Sequence, residues 1–253
     1  RSGAISRMLS LLLPLKDLLQ AKSRLAGLLR PSERRALTQA MAEDVLGVLA
    51  VHPTVKRIVI VSDDPGASLL ANKYRAQCWS EQGLGCAGLN PVLRCASGLL
   101  RNDGARYIVA LHADLPLLCA EDVDAVLAAL EAGACPLIGS DRHHAGTNLL
   151  AFRASHMPDF QFGNNSFARH FEAGRAAGGA PRQIDRPGIA LDVDEPRDLA
   201  ELLPRLRGRD TSHTGELLVG SGLGTRVSLA LESMQLPVKP ANTGADDRGG
   251  ARG

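Results

Sequence analysis

Three carboxylates stand where apolar runs stop. Asp114 ends the core-like stretch in "YIVALHADLPLL" (residues 107–118), and Asp192 and Asp194 end the one in "IALDVDEP" (residues 189–196). A carboxylate at the end of a buried strand costs desolvation energy unless a cation or hydrogen-bond donors use it. Asp192 and Asp194 are one residue apart, so in extended backbone both side chains project to the same side. Two such carboxylates facing a third suit an octahedral Mg²⁺ that keeps some waters and takes phosphate oxygens. Each position also has a plainer reading. Asp114 could form a turn in "ADLP", and Asp194 could cap the helix beginning at Glu195-Pro196, which leaves Asp192 unexplained.

Cations that could meet phosphates lie in "PLKDLLQAKSRL" (residues 14–25), which offers Lys16, Lys22 and Arg24 directly after the first apolar run. Lysine occurs at only five positions, and two of them fall here. The plain alternative is a charged helix face kept for solubility. Gly146-Thr147-Asn148 and Gly163-Asn164-Asn165-Ser166 add flexible segments rich in hydroxyl and amide donors. A helix capped by Ser166 would turn free backbone N–H groups and a favourable dipole toward an anion, or would simply be an ordinary N-cap. His143 and His144 are adjacent in a loop and so poorly spaced to share one ion; they read as surface or substrate-loop residues.

Strand-like runs at residues 8–15, 57–62, 106–112, 136–140, 147–152 and 188–192 must position these groups. Helical patterns alternate with them. In the clearest, Leu37, Ala40, Met41, Val45, Val48 and Leu49 share one face behind Pro31 and Glu33. Others begin near Asn90-Pro91, Cys119, Asn165-Ser166 and Asp194. The alternation predicts a three-layer, Rossmann-like α/β fold, a mostly parallel sheet with helices on both faces. Ligands of such sheets bind beyond the carboxyl ends of the strands, which is where the three aspartates fall.

With 253 residues, 45% hydrophobic and 22% charged, the chain fits one sizeable domain. The spacing of elements places it at residues 8–207, and the Gly-, Ser- and Arg-rich remainder, 208–253, reads as a largely disordered tail. A formal charge of +2 gives no broad field for nucleic acid or an anionic membrane. Five cysteines, odd in number and without a C-x-x-C pair, read as reduced thiols of a cytoplasmic protein. "MLSLLLPL" after Arg7 superficially imitates a signal peptide, but Lys16 and Asp17 follow at once without a small-residue cleavage pattern. Met8 would suit a natural start.

From "LPLKDLLQAKSRL" through "GLNPVLRCASGL", "HADLPLL", "DRHHAGTNLL", "FGNNSFARHF" and "IALDVDEPRDL", the chain resembles the 2-phospho-L-lactate and phosphoenolpyruvate guanylyltransferases of coenzyme F420 biosynthesis. The resemblance covers about residues 8–204 in collinear order. It implies a nucleotide-diphospho-sugar-transferase-like fold and transfer of GMP from GTP to a small phosphorylated acid, 2-phospho-L-lactate, phosphoenolpyruvate or 3-phospho-D-glycerate. Pyrophosphate is released with Mg²⁺ present, and the product passes to a downstream deazaflavin transferase. By position, the resemblance makes Asp114, Asp192 and Asp194 the metal centre, with Asp114, Lys22 and Lys16 as catalytic residues and Lys16, Lys22 and Arg24 against the GTP phosphates. Thr147, Gly163 and Ser166 become acceptor contacts, with Asn90 near the nucleotide or acceptor.

The residues agree with that chemistry. A phosphomonoester is substantially dianionic at neutral pH, so its oxygen can attack without a general base, and no convincing His-carboxylate pair is present. Two departures from the family pattern are His112, where relatives often have Pro, and Pro91 with Cys95, one helical turn apart, where Cys95 could tune which acid fits. Related nucleotidyltransferases use a Gly-rich loop after the first strand, a place held here by a segment without glycine. "GSGLGTR" (residues 220–226) looks like that loop but lies too late in the chain. A metal-dependent glycosyltransferase could also use "DVD", and a silent nucleotide-binding domain would tolerate loss of either aspartate.

Overall fold

The computed structural model describes residues 8–15, 22–208 and 212–236. Its sheet comprises β1 (Leu9–Pro14), β2 (Val55–Val61), β3 (Gln77–Trp79), β4 (Tyr107–Leu111), β5 (Leu137–Ser140), β6 (Thr147–Arg153) and β7 (Arg182–Gln183), in the order β3-β2-β1-β4-β6-β5-β7. β1 pairs in parallel with β2 and β4, β2 with β3, and β5 with β7. Only β6 runs against its neighbours, β4 and β5. Six residues separate β5 from β6, too few for the crossover that parallel pairing needs, so the chain returns as a hairpin. Asp141 organises that hairpin: its carboxylate accepts from the N–H groups of His143, Ala145 and Gly146 at 2.8–3.0 Å.

The strands alternate as a doubly covered sheet requires. Leu9, Leu11 and Leu13 of β1, Tyr107, Val109 and Leu111 of β4, and Leu149 and Ala151 of β6 face one core, packed under α1 (Pro31–Val51) and α4 (Ala120–Glu131). Leu12, Ile108, Ala110, Leu150 and Phe152 face the other, under α3 (Leu89–Asn102), whose Val92, Leu93, Ala96 and Leu100 are buried there. Between α1 and β3 runs α2 (Pro65–Lys73), a helix unforeseen in the sequence although Asp64 caps it and Pro65 opens it. α5 (Ser166–Ala176) and α6 (Pro196–Arg205) complete the expected set.

Three expectations need correction. Residues 188–192 form no strand: Pro187–Ala190 make a helical turn, and the carbonyls of Ile189 and Ala190 accept from Asn148 Nδ2 and the Arg142 N–H instead of from a neighbouring strand. Nor are residues 212–236 a disordered tail. They hold α7 (Leu223–Ser233), and Leu218, Val227 and Leu231 are fully buried in a third core with Leu25, Leu29, Leu37 and Met41. Asp44 anchors the start of this segment by accepting from the N–H groups of His213 and Thr214, at 2.7 and 3.0 Å. The "GSGLGTR" stretch serves that packing, since Gly224 lies so close to the Leu218 carbonyl that a Cβ would stand 2.3 Å from it. Residues 237–253, the rest of the expected tail, lie outside the described residues, as do 209–211. Finally, Cys86 and Cys95 are joined in a disulfide, leaving Cys78, Cys119 and Cys135 as free thiols. The loop carrying Cys86 folds back along α3, a juxtaposition of loop and helix that residue spacing does not reveal.

Candidate active site

β1 and β4 are central parallel neighbours, and their carboxyl ends open into a cleft of about 260 Å³ lined by Lys22, Thr38, Leu89, His112, Asp114 and Asp194 among others. Asp114 stands three residues beyond the end of β4, where His112 still holds the sheet register by donating its backbone N–H to Asn148 O, 3.0 Å. Lys22 arrives from the other side on a left-handed backbone (φ 58°, ψ 40°) that precedes the turn Ser23–Leu25. That conformation costs a non-glycine residue about 1 kcal/mol. It delivers a lysine side chain that is only 7% exposed, and Nζ donates to Asp114 Oδ2 and to Asp194 Oδ1, the latter at 2.7 Å.

Asp194 is free to take Lys22 because it does not cap α6. The cap position belongs to Glu195, and the Asp198 carboxylate accepts from the N–H groups of both Asp194 and Glu195, at 2.7 and 2.6 Å. Arg142 pairs with Asp198 from the hairpin side. Leu191 and Val193, which alternate with the aspartates, are buried, so Asp192 and Asp194 do share a side of the backbone, as alternation requires. Asp192 accepts from Asn148 Nδ2 at 3.2 Å.

The charges are out of balance. Burial alone would lower the Lys22 pKa, but the Asp114 and Asp194 carboxylates outweigh it and raise it well above the ordinary lysine value. Burial likewise works against the Asp114 anion, and the Lys22 ammonium outweighs it, holding Asp114 below the usual carboxylate range. Asp192 has no such cation among the described residues. Burial, and then the negative charges of Asp114 and Asp194, push it up to about 7. The buried Asp114 Oδ1 has no hydrogen-bond partner among the described residues. Among the described residues, no three His, Cys, Asp or Glu side chains are grouped to hold a metal. The expected three-carboxylate ligand set is therefore not assembled: the lysine ammonium stands between two of its members, and Asn148 engages the third.

The other expected site residues form a second group. Thr147 and Ser166 are buried, and His170 lies between their segments: its Nδ1 meets Thr147 Oγ1 at 3.0 Å, and its Nε2 accepts from the Gln161 N–H at 2.8 Å. Because Nε2 is the acceptor, the ring proton sits on Nδ1 and points at the threonine. Gly163 has φ 123°, a conformation that favours glycine. Ser166 opens α5 but does not cap it; Asn165, left-handed at φ 53°, occupies the cap. Asn90 does not cap α3 either, since Gly88 holds that position; its amide makes a two-way clasp with the Phe162 backbone, at 2.8 and 3.1 Å. Arg24 is mostly exposed and pairs with Glu195. His143 lies on the hairpin surface, and His144 Nδ1 meets Ser140 Oγ at 3.0 Å. Cys95 is tied to Cys86 and is not among the residues lining the cleft, to which α3 contributes Leu89. Lys16 lies outside the described residues.

Sequence reasoning passed over Asp198 and Arg142 and saw Asn148 only as an amide donor of a flexible segment; all three orient the acidic loop. The signal for Asp198 was there, as the third residue after a helix cap in "EPRD".

The profile of the family described as guanylyl transferase CofC-like matches residues 9–240. The chain belongs to that family. It is 37% identical over 189 residues to a phosphoenolpyruvate guanylyltransferase of Sphaerobacter thermophilus, covering 75% of this chain and 89% of the relative. It is also 37% identical over 209 residues to a 3-phospho-D-glycerate guanylyltransferase of Phenylobacterium zucineum, covering 81% and 94%. Among solved structures, one assigned as a nucleotide-diphospho-sugar transferase from Desulfovibrio desulfuricans superposes with a TM-score of 0.74 at 19% identity, over 91% of this chain and 99% of that one. That likeness shows the fold, and the sheet order and cleft position agree with the expected Rossmann-like architecture. The family match extends through α7, in keeping with the packing of that helix into the third core.

Proposed function

We propose that this member of the guanylyl transferase family moves GMP from GTP to the phosphate of a small phosphorylated three-carbon acid, releasing pyrophosphate, in coenzyme F420 biosynthesis. The observation that carries the reading is the Lys22 ammonium, buried at the carboxyl ends of β1 and β4 and held by Asp114 and Asp194. An acceptor phosphate oxygen attacks the α-phosphorus of GTP, a new P–O bond forms, and the bond to the bridging oxygen breaks with its electron pair leaving on pyrophosphate. The acceptor phosphate is already ionised near neutral pH, so no side chain need remove a proton. Lys22, held charged by its two partners, neutralises the phosphates, and its carboxylate anchors fix its direction. Proximity and preorganised charge then supply the rate.

A divalent cation fits this donor set through Asp114, whose buried Oδ1 lacks a partner, and Asp194, which is 50% exposed on the cleft side. The raised Asp192 marks negative charge that Lys22 alone does not compensate. Bound there, Mg²⁺ would neutralise charge on the leaving pyrophosphate. Thr147, Gly163 and Ser166 are the proposed acceptor side, with Arg24 and Lys16 toward the outer phosphates. No helix among the described residues is long and apolar enough to cross a membrane. A cytoplasmic site of action and a deazaflavin transferase that consumes the product complete the proposal.

The test is mass spectrometry of the products after incubation with GTP, Mg²⁺ and an equimolar mixture of phosphoenolpyruvate, 3-phospho-D-glycerate and 2-phospho-L-lactate. A guanylylated acid with stoichiometric pyrophosphate is expected. No product from any of the three would refute the reading.

A further inference from the structure

His112 lines the same cleft as Lys22, Asp114 and Asp194, and nothing in the transfer chemistry above uses it. Its ring is braced. It stacks on Phe162 with centroids 5.6 Å apart and 30° between planes, and Phe162 is itself clasped at its backbone by Asn90 and met edge-on by His170 at 4.8 Å. Phe162 immediately precedes Gly163, so His112 adjoins both halves of the site: the lysine–carboxylate pair on one side and the Gly163–Ser166 loop on the other.

Among the described residues that line the cleft, few can greet an anion. Leu15, Leu89 and Ala113 offer it nothing, and Asp114 and Asp194 repel it. The Thr38 hydroxyl donates to Arg34 O at 2.9 Å. Nitrogen donors among the described lining side chains are Lys22, which serves two carboxylates, and His112, which is close enough to Asp114 to help hold that carboxyl down. An acceptor that meets Lys22 with its phosphate and the Gly163 loop with the rest of its skeleton, as proposed above, passes His112, which lines the cleft with Lys22 and stacks on the residue before Gly163.

We propose that His112 is a specificity-determining residue, whose imidazole, braced flat on Phe162, hydrogen-bonds the phosphorylated acceptor acid in the cleft. The proposal rests on the guanylyl-transfer reading given above. His112 exchanges no proton in the reaction and forms no bond to phosphorus; it holds one of the two reactants.

Steady-state kinetics of His112→Phe and His112→Gln test it, with GTP and each of the three acids varied in turn. The phenylalanine keeps an aromatic ring on Phe162 but removes the nitrogens, and the glutamine restores an N–H donor without the ring. His112→Phe is expected to raise the acceptor KM at least tenfold, with the GTP KM changed less than twofold, and His112→Gln to recover part of the loss. A purely structural role would move both KM values together with the thermal midpoint. An unchanged acceptor KM in His112→Phe, or a GTP KM that rises as far as the acceptor KM, overturns the assignment. His112→Ala, which adds no bulk, is judged by the same criteria should the phenylalanine variant fail to fold. Failure of the wild-type protein to turn over any of the three acids is seen before a variant is made, and it sinks the functional reading together with this one.

Discussion

Two lysine–carboxylate clusters in this molecule are built from similar parts and differ in how completely they are satisfied. On the outer side of α1, the Glu43 carboxylate is 9% exposed and every oxygen has a partner. Oε1 accepts from Gln39 Nε2 at 3.0 Å, and Oε2 accepts from Lys73 and from the Tyr74 hydroxyl, with His213 Nε2 at 3.4 Å. That cluster ties α1 to α2 and to the C-terminal segment. In the cleft, Lys22 joins Asp114 and Asp194, but among the described residues the buried Asp114 Oδ1 has no partner, and burial with the charges of Asp114 and Asp194 pushes Asp192 up to about 7. A closed network stabilises, whereas an incomplete one costs stability and is retained where something else completes it.

The comparison predicts opposite outcomes for matched substitutions. Asp114→Asn, which keeps shape and removes charge, should lower turnover about a thousandfold, while the thermal midpoint moves by no more than about 2 °C; pyrophosphate release and thermal denaturation read the two sides. A large loss of stability with activity retained would mean that the cleft cluster is structural after all.

The group around His170 should weaken in acid for a related reason. Burial, together with the Arg169 charge, lowers His170 to about 4, and the unfolded histidine titrates near 6.5. The unfolded state therefore binds the proton first as pH falls. Stability from neutral His170 is fully present above pH 6.5 and is lost progressively down to about pH 4, by about 3 kcal/mol in all. Denaturant unfolding of wild type and His170→Gln across that window measures it, because the difference between them should shrink as pH drops. A constant difference would show that His170 does not titrate with unfolding.

Glu43→Ala is the converse of Asp114→Asn. It should cost about 2 kcal/mol by stranding the donors around it, a fall of about 4–8 °C in midpoint, with kcat within twofold of wild type. Smallest is Arg226→Ala. Arg226 donates to Leu28 O at 2.9 Å and to Glu33 Oε2 at 2.6 Å, and its loss should cost about 1 kcal/mol, seen most readily as faster proteolysis near α7.

Much of this architecture was legible. The strands that carry the site, β1, β4 and β6, announced themselves as continuous apolar runs, and the position of Asp114 beyond β4 followed from where the run stopped. β3 and β7, three and two residues long, were too short to give a periodic signal. The 188–192 run misled because Pro187 begins a helical turn and Asn148 takes up a carbonyl that a neighbouring strand would otherwise bind. Composition concealed α7, where glycine and serine surround a few well-spaced leucines and valines whose partners lie far away in sequence. Residue types singled out the groups that meet at the cleft, Lys22, Asp114 and Asp194, but their pairing could not be read. Spacing placed Asp192 and Asp194 on one side without revealing that Lys22 would reach only the second, and nothing local tied Cys95 to Cys86.

The third core has a consequence for how the protein is made. Leu25, Leu28 and Leu29 follow Lys22 directly, and part of what covers them is α7; Arg226 bonds the Leu28 carbonyl across 198 positions of sequence. On the ribosome the two sheet faces can form while this corner still lacks its cover. The turn that aims Lys22 therefore gains its cover only after the α7 residues, far later in the sequence, have been made, and a nascent chain can hold its sheet before that turn is framed.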